Sequence, residues 1–540
     1  MILCFLVCYR NGIANSGAQL HQGALNTVTR APLSFFATTD VGAVTSLFSQ
    51  DMALVDNELP ISFANLALDA CNAVGMAAVI ATASPYLAIA YPPILGILYL
   101  IQKFYLRTSR QLRLLDLEAK APLYTHYLDT IRGLATLRAF RWEDHGVDKN
   151  TELLTDSQKP AYLLAMIQRA LMFVLQLVVA ILATSVVALA TQLRTSSALT
   201  GASLVTLMTF GDVLNYIIRW WTQIETSIGA VSRLKGFSEK VPSESTCGEE
   251  EVVPVKGWPF RGDMVVDNVS ASYSTVRDLN DPSSNICNSA SPAETLALRD
   301  ISLTIRNGEK VAICGRTGSG KSSIILLLLR LLNPLPSCRA NITIDGTPLH
   351  TLNHSALRDR IITIPQEPAF LPDGTSFRSN LDPYGLADEP ECRRALESVG
   401  LWSVAQRQGG LHAGLSAGSL SQGQKQLFSL ARAVIRRRVR AAKQLLTRGG
   451  GLAGETSFGG GGILLVDEVS STVDAETEEQ MQTVIHLEFE GYTVVMVTHR
   501  LEMLRGFDRV VVMEKGAIVE VGPPEDMMGR DGGVFRHCGR

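Results

Sequence analysis

Residues Gly315-Arg316-Thr317-Gly318-Ser319-Gly320-Lys321-Ser322-Ser323 follow an apolar β-like run, Lys310 to Cys314, and precede an apolar helical run, Ile324 to Leu332. Strand, glycine loop and helix N-terminus stand in the order that a phosphate-binding loop requires. The glycines let backbone N–H groups curl around a β-phosphate, Lys321 adds a cation, and the Ser322 hydroxyl is placed for Mg²⁺. The plain alternative is a chance glycine-rich turn, and the flanking strand and helix argue against it.

Two further apolar runs end in groups able to act on a phosphate. Ile463 to Val466 leads into Asp467-Glu468. A buried strand followed by two acids is unusual unless the acids meet a cation. Asp467 is expected to hold Mg²⁺ through water, and Glu468 to polarise an attacking water as general base. Otherwise they are two exposed acids at a strand end. Val494 to Val497 leads through Thr498 into His499. A lone histidine usually means little, but at the carboxyl end of a parallel sheet it can reach a γ-phosphate and the attacking water. Gln366, after the strand Ile361 to Ile364, is a further candidate beside Mg²⁺ and water.

These groups need an α/β domain to hold them, and the chain offers more than that. Its 540 residues are too many for one ordinary domain. The formal net charge of -3 implies no polyanionic partner, and no nucleic acid is expected. The basic run Arg436-Arg437-Arg438 reads as a solvated face. Mean hydropathy is slightly positive at +0.16, with the apolar excess in the first half.

From Ile61 to Ile101 the only charged residue is Asp69, and Ser84-Pro85 reads as a turn between two spans. Ala170 to Thr191 is another uncharged run, and Ala202 to Ile218 a fourth, interrupted by Asp212. Such lengths predict transmembrane helices. The segment carrying Lys103, Arg107, Arg110, Arg113, Lys120, Arg132, Arg138 and Arg141 is expected in the cytosol, as helices projecting beyond the membrane. The connections at Ser84-Pro85 and around Arg194 are short and nearly uncharged. Met1 to Tyr9 is apolar but too short to span, and reads as the tail of a helix whose start lies upstream.

The expected organisation is a transmembrane domain over residues 1–237, a linker over 238–260 and a nucleotide-binding domain over 261–540. Thr275 to Thr295 and Arg438 to Gly462 read as inserted loops, the second basic and then glycine-rich. The nine cysteines show no metal-ligand spacing and no disulfide framework. The sequons at Asn268, Asn341 and Asn353 fall in the half expected to be cytosolic, so glycosylation there is not expected.

Leu420-Ser421-Gln422-Gly423-Gln424 resembles the signature of ATP-binding-cassette proteins, departing from the usual Leu-Ser-Gly-Gly-Gln at Gln422. The order phosphate loop, Gln366, signature, Asp467-Glu468, Asp474, His499 is the cassette order. Tyr273 lies where the family places an aromatic ring under adenine, which stacking favours. Arg30-Ala31-Pro32-Leu33-Ser34-Phe35-Phe36, Phe48-Ser49-Gln50-Asp51, Ser109-Arg110-Gln111-Leu112 and Asn380-Leu381-Asp382-Pro383 look like the second half of C-subfamily, multidrug-resistance-associated transporters, with fungal members nearest.

That resemblance implies an α-helical transmembrane bundle of type I exporter kind, followed by an α/β P-loop ATPase cassette. It also implies ATP and Mg²⁺ as cofactors. The partners would be a lipid bilayer, a small amphipathic substrate and a second membrane domain with its cassette. Residues Ser421, Gly423 and Gln424 would then complete a nucleotide site on that other cassette. The segments Thr38 to Leu47 and Gly133 to Phe140 would hold coupling helices, or else be ordinary hairpin turns. The plasma membrane and the vacuolar membrane both suit the subfamily. Arg219, beside Tyr216, Trp220 and Trp221 in the last span, either faces a cavity for organic anions or snorkels from an interfacial belt. Competing readings are an ATP-gated channel or nucleotide-sensing subunit, a soluble cassette ATPase, which the spans argue against, and an inert gene fragment.

Overall fold

The computed structural model describes residues 16–39, 41–83, 91–193, 197–244, 252–255, 257–273, 296–335, 338, 341–447, 461–468, 475–500, 504 and 506–528. The chain divides into one unit of residues 1–29 and 39–242 and another of residues 30–38 and 243–540. Met1 to Tyr9, the Ser84-Pro85 turn, the connection at Arg194, the loop Thr275 to Thr295 and Asp474 lie outside the described residues.

The described part of the first unit is helical. Its long helices are Leu59–Ala83, Tyr91–Arg132, Glu143–Leu193 and Ser197–Lys240, of 25, 42, 51 and 44 residues. At 1.5 Å per residue the third is about 75 Å long, more than twice the roughly 30 Å of bilayer hydrocarbon. Its charged N-terminal half therefore extends past any membrane that its apolar half crosses. Among the described residues three helical stretches are long and apolar enough to span: Val44–Ala81, Glu143–Ala188 and Gly201–Lys240. The span expected to end at Ile101 is described from Tyr91 onward, and the beginning of its apolar sequence lies outside the described residues.

Leu59–Ala83 packs on Ser197–Lys240, and Tyr91–Arg132 on Glu143–Leu193. The contacts are small apolar clusters, one of Ile80, Leu182, Val186, Leu207 and Phe210, another of Tyr105, Leu171, Leu175 and Ile218. Gly211 permits close approach, since a Cβ there would stand 3.1 Å from Val179 Cγ2. Between Tyr91–Arg132 and Glu143–Leu193 the chain forms a short helix, Leu134–Phe140. It ends at Arg141 in the left-handed region (φ 57°), with Trp142 N–H bonded to Leu137 O at 2.9 Å, a Schellman-type stop.

The second unit is built on three sheets. We number its strands β1 (Met264–Ser272), β2 (Leu296–Ile305), β3 (Lys310–Gly315), β4 (Ile342–Ile344), β5 (Thr347–Pro348), β6 (Ile362–Ile364), β7 (Thr375–Ser376), β8 (Gly414–Leu415), β9 (Ile463–Asp467), β10 (Thr493–Val497), β11 (Arg509–Glu514) and β12 (Ala517–Gly522). The central sheet runs β12-β11-β3-β10-β9-β6, parallel except for β12. An antiparallel sheet runs β2-β1-β4-β5, and β7 pairs with β8. Unbroken apolar runs make the central strands because both faces are covered. Ala312, Leu464, Val466, Val494, Met496, Val510 and Val512 face one core. Val311, Ile313, Leu465, Val495, Val497 and Val511 face the other, with Ile324, Leu327 and Leu328 of the helix Lys321–Leu328.

Two expectations are corrected. Residues 438–447 of the stretch expected as a loop are helical: Gln422–Thr447 is one 26-residue helix, built of good helix formers, and residues 448–460 lie outside the described residues. Nor is its basic run a solvated face. Arg437 reaches Glu488 at 2.7 Å, Arg438 reaches Glu391 at 2.9 Å and also Glu488, and Arg440 donates to the carbonyls of Arg360 and Trp258. Only Arg436 answers to an exposed partner, Asp359. The described part of the stretch expected as linker is also engaged. Ser238–Lys240 closes the last long helix, Trp258 is buried, and the Asp345 carboxylate accepts the backbone N–H groups of Phe260, Arg261, Gly262 and Asp263 at 2.6–3.1 Å.

Removing Arg438 leaves half-buried Glu488 with Arg437 alone and half-buried Glu391 with only the longer Arg394 contact at 3.4 Å. Arg438→Ala should lower stability by about 1–3 kcal/mol, and Arg436→Ala by less than about 0.5 kcal/mol. Thermal unfolding of the full chain in detergent measures both.

Candidate functional site

Strand register decides where the candidate residues meet. Val497 of β10 pairs with Ile313 of β3 on one side and Asp467 of β9 on the other. The ladder continues one step further, with Thr498 N–H bonded to Ile313 O at 3.1 Å and Glu468 N–H to Val497 O at 3.0 Å. The phosphate-loop sequence, the paired acids and His499 therefore leave the sheet at one carboxyl edge, where open α/β sheets bind ligands.

The loop between β3 and the helix at Lys321 is crowded by backbone. Gly320 has φ 94°, and a Cβ there would stand 2.9 Å from Ala297 O. A Cβ on Gly315 would collide with Met513 O and stand 2.6 Å from Ser319 Oγ. Lys321 is buried; its Nζ donates to the carbonyls of Gly315 (3.0 Å) and Arg316 (3.1 Å) and lies 3.3 Å from Glu468 Oε1. The Ser322 hydroxyl donates to Asp467 Oδ1 at 2.8 Å. Gln366 Nε2 donates to Glu468 Oε2 at 3.3 Å. One group thus gathers Lys321, Ser322, Gln366, Asp467 and Glu468.

Burial pushes the Asp467 carboxyl above the ordinary carboxylate range. The Ser322 hydrogen bond opposes that, the Glu468 charge adds to it and Lys321 offsets it. Such a site favours an added cation. Ser322, Asp467 and Gln366 supply hard oxygen donors of the kind Mg²⁺ accepts. Among the described residues there is no cluster of three or more His, Cys, Asp or Glu able to hold a metal. Ser319 Oγ is buried without a partner in the loop, a polar atom with spare capacity toward a ligand.

The remaining candidates fall elsewhere. Tyr273 is tied to the start of the loop helix, its hydroxyl 2.9 Å from Ser323 Oγ. Arg316, Thr317 and Gly318 form the outer turn of the loop. Ser421 and Gln424 close a reciprocal capping box at the head of Gln422–Thr447: Gln424 N–H donates to Ser421 Oγ (3.2 Å), and Ser421 N–H to Gln424 Oε1 (3.0 Å). With Gly423 they stand at that helix start, and their described hydrogen bonds do not reach the Gly315–Ser323 loop.

Sequence reading missed the residues that join this helix to Gln366. Gln426 Nε2 donates to Gln366 O at 2.7 Å. Arg432 donates to the carbonyls of Ala369 and Asn380 and lies over Phe370 and Phe428, each centroid 5.1 Å away. A Gln and an Arg inside an amphipathic helix carry no local mark of such a role. In the first unit, Tyr216, Arg219 and Trp221 are exposed on Ser197–Lys240, while Trp220 turns inward and donates to Asp69 Oδ2 at 3.0 Å.

Comparison with known proteins agrees with this arrangement. Residues 5–218 match the family model of the ABC transporter transmembrane region, and residues 298–439 the ABC transporter model. The chain therefore consists of an ABC transporter membrane region followed by an ABC cassette, and is an integral membrane protein. It is 53% identical to the ABC-type transporter braE of Annulohypoxylon truncatum, across 98% of this chain and 36% of that protein. It is 52% identical to the ABC transporter FGM5 of Gibberella zeae, across 96% and 34%. Likeness to the ABC multidrug transporter B of Aspergillus fumigatus is 40%, across 97% and 33%. The chain spans about a third of the length of these relatives.

Lys321→Ala removes the ammonium that contacts the Gly315 and Arg316 carbonyls and Glu468. Nucleotide affinity should fall about 10- to 100-fold, the loss of one charge-assisted contact. Titration with a fluorescent ATP analogue measures it.

Proposed function

We propose that this chain is the C-terminal half of an ATP-driven exporter of C-subfamily type, moving amphipathic organic compounds or anionic conjugates across a membrane. The observation that carries this reading is the group of Lys321, Ser322, Gln366, Asp467 and Glu468 in a chain whose other unit contains spans. A bound Mg²⁺ would sit with Ser322, Asp467 and Gln366 and would neutralise phosphate charge. The residues around it divide the remaining work. Backbone N–H groups of Gly315–Ser323 and Lys321 Nζ hold and orient the phosphates. Glu468, released from Lys321 by the incoming phosphate, accepts a proton from the attacking water. His499 contacts the γ-phosphate from the end of β10, and the Tyr273 ring stacks on adenine.

The nucleotide clamp needs a second cassette. Ser421, Gly423 and Gln424 stand apart from Lys321 in their own cassette, which supports their use against the nucleotide of another. That partner would bring a second membrane domain, placing the assembly in the plasma or vacuolar membrane with cassettes toward the cytosol. The exposed Tyr216 and Arg219 suit an amphipathic anion, with aromatic area for its apolar part and a cation for its charge. The name of one relative, a multidrug transporter, fits a broad amphipathic cargo.

The test is uptake into inside-out vesicles holding the complete transporter. ATP-dependent accumulation of an anionic conjugate is expected. Glu468→Gln should cut hydrolysis by about 100-fold or more while leaving ATP bound, the usual worth of a general base. Arg219→Ala should weaken anion uptake with ATP binding intact. Ionic current without ATP-driven accumulation would replace the export reading by a channel.

A further inference from the structure

The turn between β11 and β12, far along the chain, backs the phosphate loop. Lys515 and Gly516 form a two-residue hairpin, with Glu514 paired to Ala517 and both turn residues at positive φ, 49° and 84°. The Gly516 N–H donates to Ser319 O at 3.0 Å. Its carbonyl accepts the Arg299 N–H at 2.8 Å. A Cβ on Gly516 would stand 2.9 Å from Ala297 O, and a Cβ on Gly320 would stand 2.9 Å from that same oxygen and 3.5 Å from Gly516 Cα. At the end of β11, Met513 pairs with Gly315, and its carbonyl would collide with a Cβ there. Three backbones, at Ala297, Ser319–Gly320 and Gly516, thus meet with no room for a side chain.

We propose that Gly516 is a positioning residue for nucleotide binding. Its N–H fixes the Ser319 carbonyl, and so aims the peptide N–H groups that follow in the loop. Backbone aim matters here because the loop grips phosphate by N–H direction rather than by long side chains. The inference rests on the reading of Gly315–Ser323 as a phosphate loop.

The experiment compares Gly516→Ala with Gly491→Ala in the full chain in detergent. Gly491 has a like backbone angle, φ 79°, but a Cβ there meets nothing within 4 Å. Both substitutions carry the left-handed penalty, and only the first disturbs the loop. Gly516→Ala should weaken trinitrophenyl-ATP binding about tenfold relative to Gly491→Ala, the size of one positioned hydrogen bond. Equal affinity in the two variants overturns the proposal. Should Gly516→Ala not fold, hydrogen exchange on the unaltered chain decides. ATP with Mg²⁺ should slow exchange in peptides covering Met513–Ile518 as it does across Gly315–Ser323, and leave the Gly491 turn unchanged. Protection of the loop without protection of the turn overturns it. Absence of nucleotide binding by the unaltered chain would instead refute the phosphate-loop reading.

Discussion

The hydrogen bond from Ser322 Oγ to Asp467 Oδ1, beside the Lys321–Glu468 ion pair, closes the start of the helix after β3 onto the end of β9; the two strands do not touch because β10 lies between them. The candidate site depends on that closure. It is possible because Ile313, Val497 and Asp467 stand in one register row. A one-residue slip of β9 would turn Asp467 to the opposite face and bring Val466 to the edge. Polarity does not resist such a slip, because both faces of β9 are apolar; the close fit of Leu464 and Val466 in one core and Leu465 in the other does. Packing several residues away from the chemistry therefore sets the acid's position.

Charge then decides what the site can admit. Among the described residues Lys321 is the cation gathered with two carboxylates, Asp467 and Glu468, and burial already disfavours the ionised form of Asp467. A phosphate oxygen brought to about 4 Å from either acid is opposed by roughly 4 kcal/mol at an effective dielectric near 20. Lys321 alone cannot offset several such charges while also holding Glu468. On the proposed reading, a divalent cation held by Ser322 and Asp467 would offset that repulsion, leaving Lys321 to phosphate and Glu468 to water.

Legibility in the sequence follows the range of each interaction. The loop Gly315–Ser323, the acids at Asp467-Glu468 and the capping box Ser421–Gln424 are local patterns, readable because residues within a few positions do the work. The long apolar helices are readable for the same reason. The basic run at Arg436–Arg438 was misread because its partners, Glu391 and Glu488, lie 47 and 50 residues away from Arg438. Gln426, Arg432 and Gly516 were silent for a like reason: each acts on backbone carbonyl or N–H groups of a distant segment, and a backbone partner leaves no trace in residue type.

The departure at Gln422 tests how far a family pattern reflects backbone need. The usual residue there is glycine, which would be required if the chain turned through positive φ. It does not: Gln422 is the first residue of a helix, and neither it nor Gly423 is among the positive-φ positions. Helical φ costs glutamine nothing, and its side chain is exposed. The geometry of this segment is set instead by the Ser421–Gln424 box and by the buried Leu420 beside it.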